Sequence, residues 1–286
     1  MKIGILTGLW HIASHASLIE SIEKASDLGF RYVDLHGMFH ARPGDLAPDE
    51  CLRVPRILDR LGLVARNYVL PTYVNIPSAS ISEQEEALGY TNRGIDLAAG
   101  WGLSQVLVNA GQWALGVGHA DAWKRTVGFM RHVCEYAERN GVLIALEPEP
   151  YVWYLVNYLA SAGEMLEDVA RPNIGLLVDL GHMALAREGL DDLRPLANQI
   201  LHVHLSDHEA YRHTNQPIGS GFVPVVDYLG GLLSLNVDGI AGRFGYEEMV
   251  VTLELGATGD TIQDPDSWAR RSLAYVLGTG LPIRLR

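Results

Sequence analysis

Short runs of aliphatic and β-branched residues alternate along this chain with longer stretches of helical period. Apolar runs at 2–7, 31–36, 64–69, 104–109, 142–147, 174–179, 200–205 and 248–254 predict eight strands. Between and after them, 15–28, 48–62, 82–100, 119–140, 158–170, 187–198, 224–234 and 265–279 predict helices whose polar faces suit an outer ring. Segments such as Val142-Leu143-Ile144-Ala145-Leu146 are apolar throughout, as expected for parallel strands covered on both sides. Eight such pairs, with no GxGxxG turn after the first strand, favour an α/β chain folded as one (β/α)8 TIM barrel over 1–286. A doubly wound open sheet is the structural alternative. The stretch 207–222 is the longest irregular segment, and 236–246, with three glycines, is a second candidate flexible loop.

Composition narrows the setting. At 286 residues and 48% hydrophobic, the chain can fill a large core without covalent staples. Cys51 and Cys134 lie far apart with no CxxC spacing, so neither a disulfide framework nor a cysteine zinc site is expected, and both read as buried thiols. The opening Met1-Lys2-Ile3-Gly4-Ile5-Leu6 runs directly into a strand, which makes a cytoplasmic protein the expectation. No apolar run approaches the roughly 20 residues that cross a bilayer, so no membrane partner is expected. A net charge of −12 with dispersed basic residues argues against nucleic acid.

The chemistry gathers at strand ends. Strand five ends Leu146-Glu147-Pro148-Glu149-Pro150, and the prolines stop any regular element from continuing. Strand six ends in Asp179-Leu180-Gly181-His182, strand seven carries His202-Val203-His204, and strand eight ends in Leu253-Glu254. These ends are consecutive around the mouth where barrels place their sites. His202 and His204 face one way, and His204, nearer the C-terminal end, is the better ligand. One carboxylate at a strand end is usually structural, but three beside a histidine would repel strongly unless a divalent cation neutralised them. Glu147, Asp179, His204 and Glu254 are therefore the expected ligands of one metal ion. Mn²⁺ is the first choice for this oxygen-rich set, with Mg²⁺, Co²⁺ or Zn²⁺ as alternatives.

Together with His202-Val203-His204-Leu205-Ser206-Asp207 and Pro217-Ile218-Gly219-Ser220-Gly221, these segments resemble the xylose isomerase-like barrels of the sugar phosphate isomerase/epimerase kind. That superfamily includes ketose 3-epimerases and endonuclease IV, and the resemblance covers nearly the whole chain. It implies the same four metal ligands and a substrate-contacting role for His182. The arginine expected soon after the strand-seven histidine falls only approximately on Arg212. Tyr211-Arg212-His213 resembles endonuclease IV, but Tyr211 and Asn109 stand where that enzyme has an aspartate and a histidine ligand. One metal and a small substrate are thus expected, rather than a three-zinc DNA-repair centre.

Around the mouth, His11, Trp113, Arg212 and His213 join His182 as candidate substrate contacts, while His36 and Trp153 are weaker ones. Glu149 reads as a surface carboxylate that could assist proton transfer. Gly219-Ser220-Gly221 could offer backbone donors to phosphate, although a plain turn is the favoured reading. The leading functional expectation is an isomerase or epimerase acting on a small sugar or polyol carbonyl compound through a cis-enediolate, with Glu147 and Glu254 as the acid/base pair. A dehydratase or lyase, inosose dehydratase-like or a C-glycoside-cleaving subunit, is the alternative, with an endonuclease last. A homo-oligomer is left open.

Overall fold

The apolar runs become strands in the expected order. In a computed structural model, which describes residues 1–70, 75–113, 116–257 and 261–285 and His40 by its backbone alone, they are β1 (Lys2–Leu6), β2 (Tyr32–His36), β3 (Val64–Val69), β4 (Gln105–Val108), β5 (Leu143–Leu146), β6 (Ile174–Asp179), β7 (Ile200–Leu205) and β8 (Val250–Leu253). They close into a barrel in sequence order, β8 pairing back onto β1, and every pair is parallel.

The helices α1 (Gly8–Ser14), α2 (Leu18–Asp27), α3 (Pro48–Leu61), α4 (Ile81–Gly100), α5 (His119–Arg139), α6 (Leu159–Val169), α7 (Leu180–Leu185), α8 (Leu190–Leu193), α9 (Val225–Ser234), α10 (Val237–Ala241) and α11 (Pro265–Gly278) lie between and after the strands. Local chemistry sets their ends. Ser17 and Glu20 form a capping box at α2, a device that stabilises a helix start by about 1 kcal/mol. Pro48 opens α3, and Gly62 closes it at φ +65°, a left-handed turn that costs glycine little.

Alternation along each strand divides the core. Ile3, Ile5, Val33, Leu35, Val106, Val108, Ile144, Leu146, Val178 and Leu205 pack outward against the helices. Inside, Leu6, Val69, Leu107, Ala145, Leu177 and Leu201 form a small apolar plug. The register of β6 with β7 shifts between Leu176 and Leu177. Leu201 thereby joins the plug while His202 and His204 still reach the interior above it.

Three expectations need correction. Segment 236–246 is not an open loop: it forms α10 and a 3-10 turn at Gly242–Phe244. The helix expected over 187–198 is instead the short α8 followed by a 3-10 turn at Arg194–Gln199. Cys134 is buried as expected, but Cys51 is only partly so.

Candidate metal centre

Each expected ligand stands at the C-terminal end of its strand. Glu147 and Glu254 lie one residue beyond β5 and β8, where their backbone N–H groups extend the ladder to Val108 O at 3.3 Å and Leu205 O at 3.0 Å. Asp179 ends β6, paired in register with His204 on β7. Among the described residues, Glu147, Asp179, His204 and Glu254 each offer a ligand atom, and these atoms all lie within 4.8 Å of one another.

The atoms left over favour a cation. Asp179 Oδ1 accepts from Gly181 N at 2.6 Å, His182 N at 2.9 Å and Ser206 Oγ at 2.6 Å. Its Oδ2 is buried with no hydrogen-bond partner, as are Glu147 Oε1 and His204 Nδ1. Buried oxygens and nitrogens are rarely left this way. Glu254 Oε2 completes the group 2.9 Å from His204 Nδ1, not aligned for a hydrogen bond, while its Oε1 accepts from Asn215 Nδ2 at 2.9 Å. Three carboxylates and one imidazole nitrogen make an oxygen-rich donor set that fits a divalent ion.

A second layer fixes the orientation of these donors. Asp34, inside β2, accepts on Oδ2 from both His202 Nε2 at 2.6 Å and His204 Nε2 at 3.1 Å. Because Asp34 holds the Nε2–H, a His204 that gives up its other proton to a bound cation would turn the lone pair of Nδ1 toward the carboxylates. Burial alone would raise the Asp34 pKa, but the two histidines outweigh it and hold the carboxyl well below its ordinary value. Across the site, Thr214 and Asn215 N–H groups both donate to His208 Nδ1 at 3.2 Å. His208 must then carry its proton on Nε2 and donate to Ser206 Oγ at 2.9 Å, which leaves the Ser206 hydroxyl to donate to Asp179. Burial, with His213 and His182 nearby, pushes the His208 pKa down to about 2 and keeps the ring neutral.

Local fields pull the acidic groups apart. Burial raises the pKa of Glu147, with Glu254 adding to it against His204 and His182. For Glu254, burial is outweighed by the contact and charge of His204, and the net shift is downward. His204 itself is pushed well above the histidine range, because Asp34, Glu147 and Glu254 together overcome its burial. Glu149 is no surface carboxylate. It accepts from Asn109 Nδ2 at 3.1 Å, and burial, reinforced by Glu147 and Glu254, raises its pKa to about 7.

The expected substrate contacts divide. His182 adjoins the centre, with Nδ1 3.9 Å from Glu147 Oε1 and hydrogen-bonded to Pro148 O at 3.2 Å, and its Nε2 lies 2.8 Å from His213 Nε2. Burial opposes charge on His182, but Asp179, Glu149, Glu147 and Glu254 lift its pKa to about 9. His11 is fully buried, with Nδ1 on Ala16 O at 2.7 Å. His36 is buried above Asp34, and burial together with His11 lowers its pKa to about 3. Trp113 lies on the rim, its indole N–H donating to Val117 O at 2.8 Å. Arg212 is not brought to the cluster: it is exposed and faces Glu209 at 3.6 Å.

The glycine turn holds the protein rather than a ligand. Gly219 N and Gly221 N donate to Asp207 Oδ2 at 2.9 and 2.8 Å, while His208 N and Val223 N donate to Oδ1. Asp207 thus organises the whole loop after β7 and consumes the donors a phosphate would need. His182, His208 and His213 also cluster, but both ring nitrogens of His208 are already engaged, which speaks against a further ion there.

Sequence reasoning missed Asp34, Asn215 and the His208–Ser206 pair. A signal for Asp34 was present: it is a lone carboxylate inside an apolar strand, two residues before His36 and so on the same face.

Comparisons with known proteins agree with this architecture. Fructoselysine 3-epimerase of Shigella flexneri is 24% identical over 255 residues, covering 84% of this chain and 88% of that one. An uncharacterized protein of Methanocaldococcus jannaschii is 28% identical over 115 residues, which spans only 39% of either chain. A solved D-tagatose 3-epimerase-like protein superposes with a TM-score of 0.79 at 20% identity, covering 98% of both chains. The IOLI protein, solved with a binding zinc atom, also gives 0.79, at 17% identity over 99% of this chain and 100% of its own. These two structural likenesses speak for the fold. A family profile described as the xylose isomerase-like TIM barrel matches residues 22–274. On that span, the chain belongs to the xylose isomerase-like TIM barrel family.

Proposed function

We propose that this protein is a divalent-metal-dependent isomerase or epimerase of a small sugar or polyol carbonyl compound, working through a cis-enediolate. The observation that carries this reading is the convergence of Glu147, Asp179, His204 and Glu254 with three of their donor atoms buried and unpartnered. The S. flexneri relative, a fructoselysine 3-epimerase, supports a ketose as substrate. When bound, a divalent cation supplies Lewis-acid stabilisation of the charge that develops on substrate oxygens. Mn²⁺ is the first choice, and Mg²⁺, Co²⁺ and Zn²⁺ are the alternatives.

Glu147 and Glu254 come from strands three apart around the barrel, so their carboxylates can approach a sugar carbon from different sides. One takes the proton from the carbon beside the carbonyl, and the other returns a proton to the opposite face. Asp179 is held rigid by three hydrogen-bond donors, the Gly181 and His182 N–H groups of α7 and the Ser206 hydroxyl, and acts in binding rather than proton transfer. His182, with His213 behind it, is placed to hold a substrate oxygen. The net charge of −12 supports a small molecule rather than nucleic acid as substrate, and we place the protein in the cytoplasm.

Removal of metal tests the reading. Chelation should abolish turnover of a ketose, and one equivalent of Mn²⁺ or Co²⁺ per chain should restore it. Full activity with metal absence confirmed, or a requirement for three zinc ions, would contradict it.

A further inference from the structure

The loops after β4 and β5 carry aromatic surface that proton transfer does not use. Beyond Pro150, the Tyr151 and Trp153 rings stack with centroids 4.7 Å apart and planes within 11°. Tyr151 also meets the His213 ring edge-on at 5.9 Å. His213 in turn reaches His182, and His182 reaches Glu147. A continuous row of rings therefore runs from the carboxylates to Trp153, which remains 48% exposed.

This platform is tied down. Trp113 N–H donates to Trp153 O at 2.6 Å and Leu155 N–H to Gly111 O at 3.1 Å, so the two loops are joined through their backbones. Trp113 places a second, partly exposed indole on the adjoining loop. Rigid, exposed aromatic surface continuous with a reaction centre marks a contact for a ligand. Continuity identifies the occupant as something attached to the molecule whose carbonyl end lies among the carboxylates. Tyr and Trp combine a flat apolar face with a polar edge, which suits the C–H face and peripheral hydroxyls of a sugar ring.

We propose that Tyr151 and Trp153 form a subsite for a glycosyl ring carried by the reacting sugar, so that the preferred substrate is a glycosylated ketose rather than a free one. The inference rests on the proposed reaction, and its test separates the two.

Calorimetric titration of the Mn²⁺-loaded protein would compare D-fructose with isomaltulose, which is fructose bearing a glucosyl group on O6. Solvent-deuterium exchange would be measured for both. Isomaltulose should bind about tenfold tighter, the scale of one aromatic stacking contact. Trp153→Ala and Tyr151→Ala should each erase that advantage while leaving fructose exchange and metal content unchanged, and Trp153→Phe should keep most of it. Equal binding of the two sugars, no binding of isomaltulose, or an advantage that survives both alanine variants would overturn the subsite. So would tighter binding of a phenyl ketoside than of isomaltulose, or a dimer that Trp153→Ala dissociates, since each names a different occupant. If isomaltulose binds in a Trp153-dependent way but neither sugar exchanges, the reaction assignment fails and the subsite stands. If fructose exchanges without any preference for isomaltulose, the reverse holds.

Discussion

Replacing Glu254 with glutamine is expected to lower turnover by about 10²–10⁴-fold, the range typical of a lost general acid or base, while the protein keeps its metal ion. The substitution preserves shape and an oxygen. Glu254 Oε1 accepts from Asn215 Nδ2, and an amide oxygen can take that place or face the ion. What it removes is the second basic oxygen, now 2.9 Å from His204 Nδ1. Steady-state kinetics with metal analysis on the same preparation decides the matter. Joint loss of metal and activity would make Glu254 a ligand and nothing more.

Asp34→Asn should weaken binding of the divalent ion by about 10–100-fold, although Asp34 lies outside the Glu147, Asp179, His204 and Glu254 group. Its Oδ2 accepts two imidazole N–H groups, fixing the tautomer of His204 and raising the basicity of Nδ1. Asparagine keeps the volume but loses the charge, and its amide hydrogens can compete for the same histidines. Competition titration with a metal indicator gives the affinity, and thermal unfolding with excess Mn²⁺ checks that the barrel is intact. An unchanged affinity would mean that the Asp34–His202–His204 group serves only to fill the barrel interior.

Much of this arrangement can be read in the chain. The strands are legible because each is bounded by turn residues and apolar on its helix-facing side, and the four proposed ligands because each breaks an apolar run near its end. Glu147 is further marked by the prolines that follow it. What resists reading is whatever depends on loops folding back. Glu149 looks like a surface residue between two prolines, yet Asn109 from the neighbouring strand end and the carboxylates beside it enclose it. Short helices such as α1 and α7 escape because fewer than two full turns leave no periodic pattern. The roles of Ser206 and His208 depend on backbone N–H groups six and seven residues away from His208 in the chain, a contact that no spacing rule anticipates.

The central claim is that a proton leaves and returns to the carbon beside a ketose carbonyl within this centre. It is tested most directly by incubating the Mn²⁺-loaded protein with D-fructose and its glycosylated form in heavy water and locating deuterium by NMR. The account predicts one deuterium at the carbon beside the carbonyl in recovered sugar, together with the epimeric or isomeric product, and its loss in Glu254→Gln. Conversion of a confirmed substrate with no deuterium at that carbon, at a rate that Glu254→Gln leaves unchanged, would contradict it.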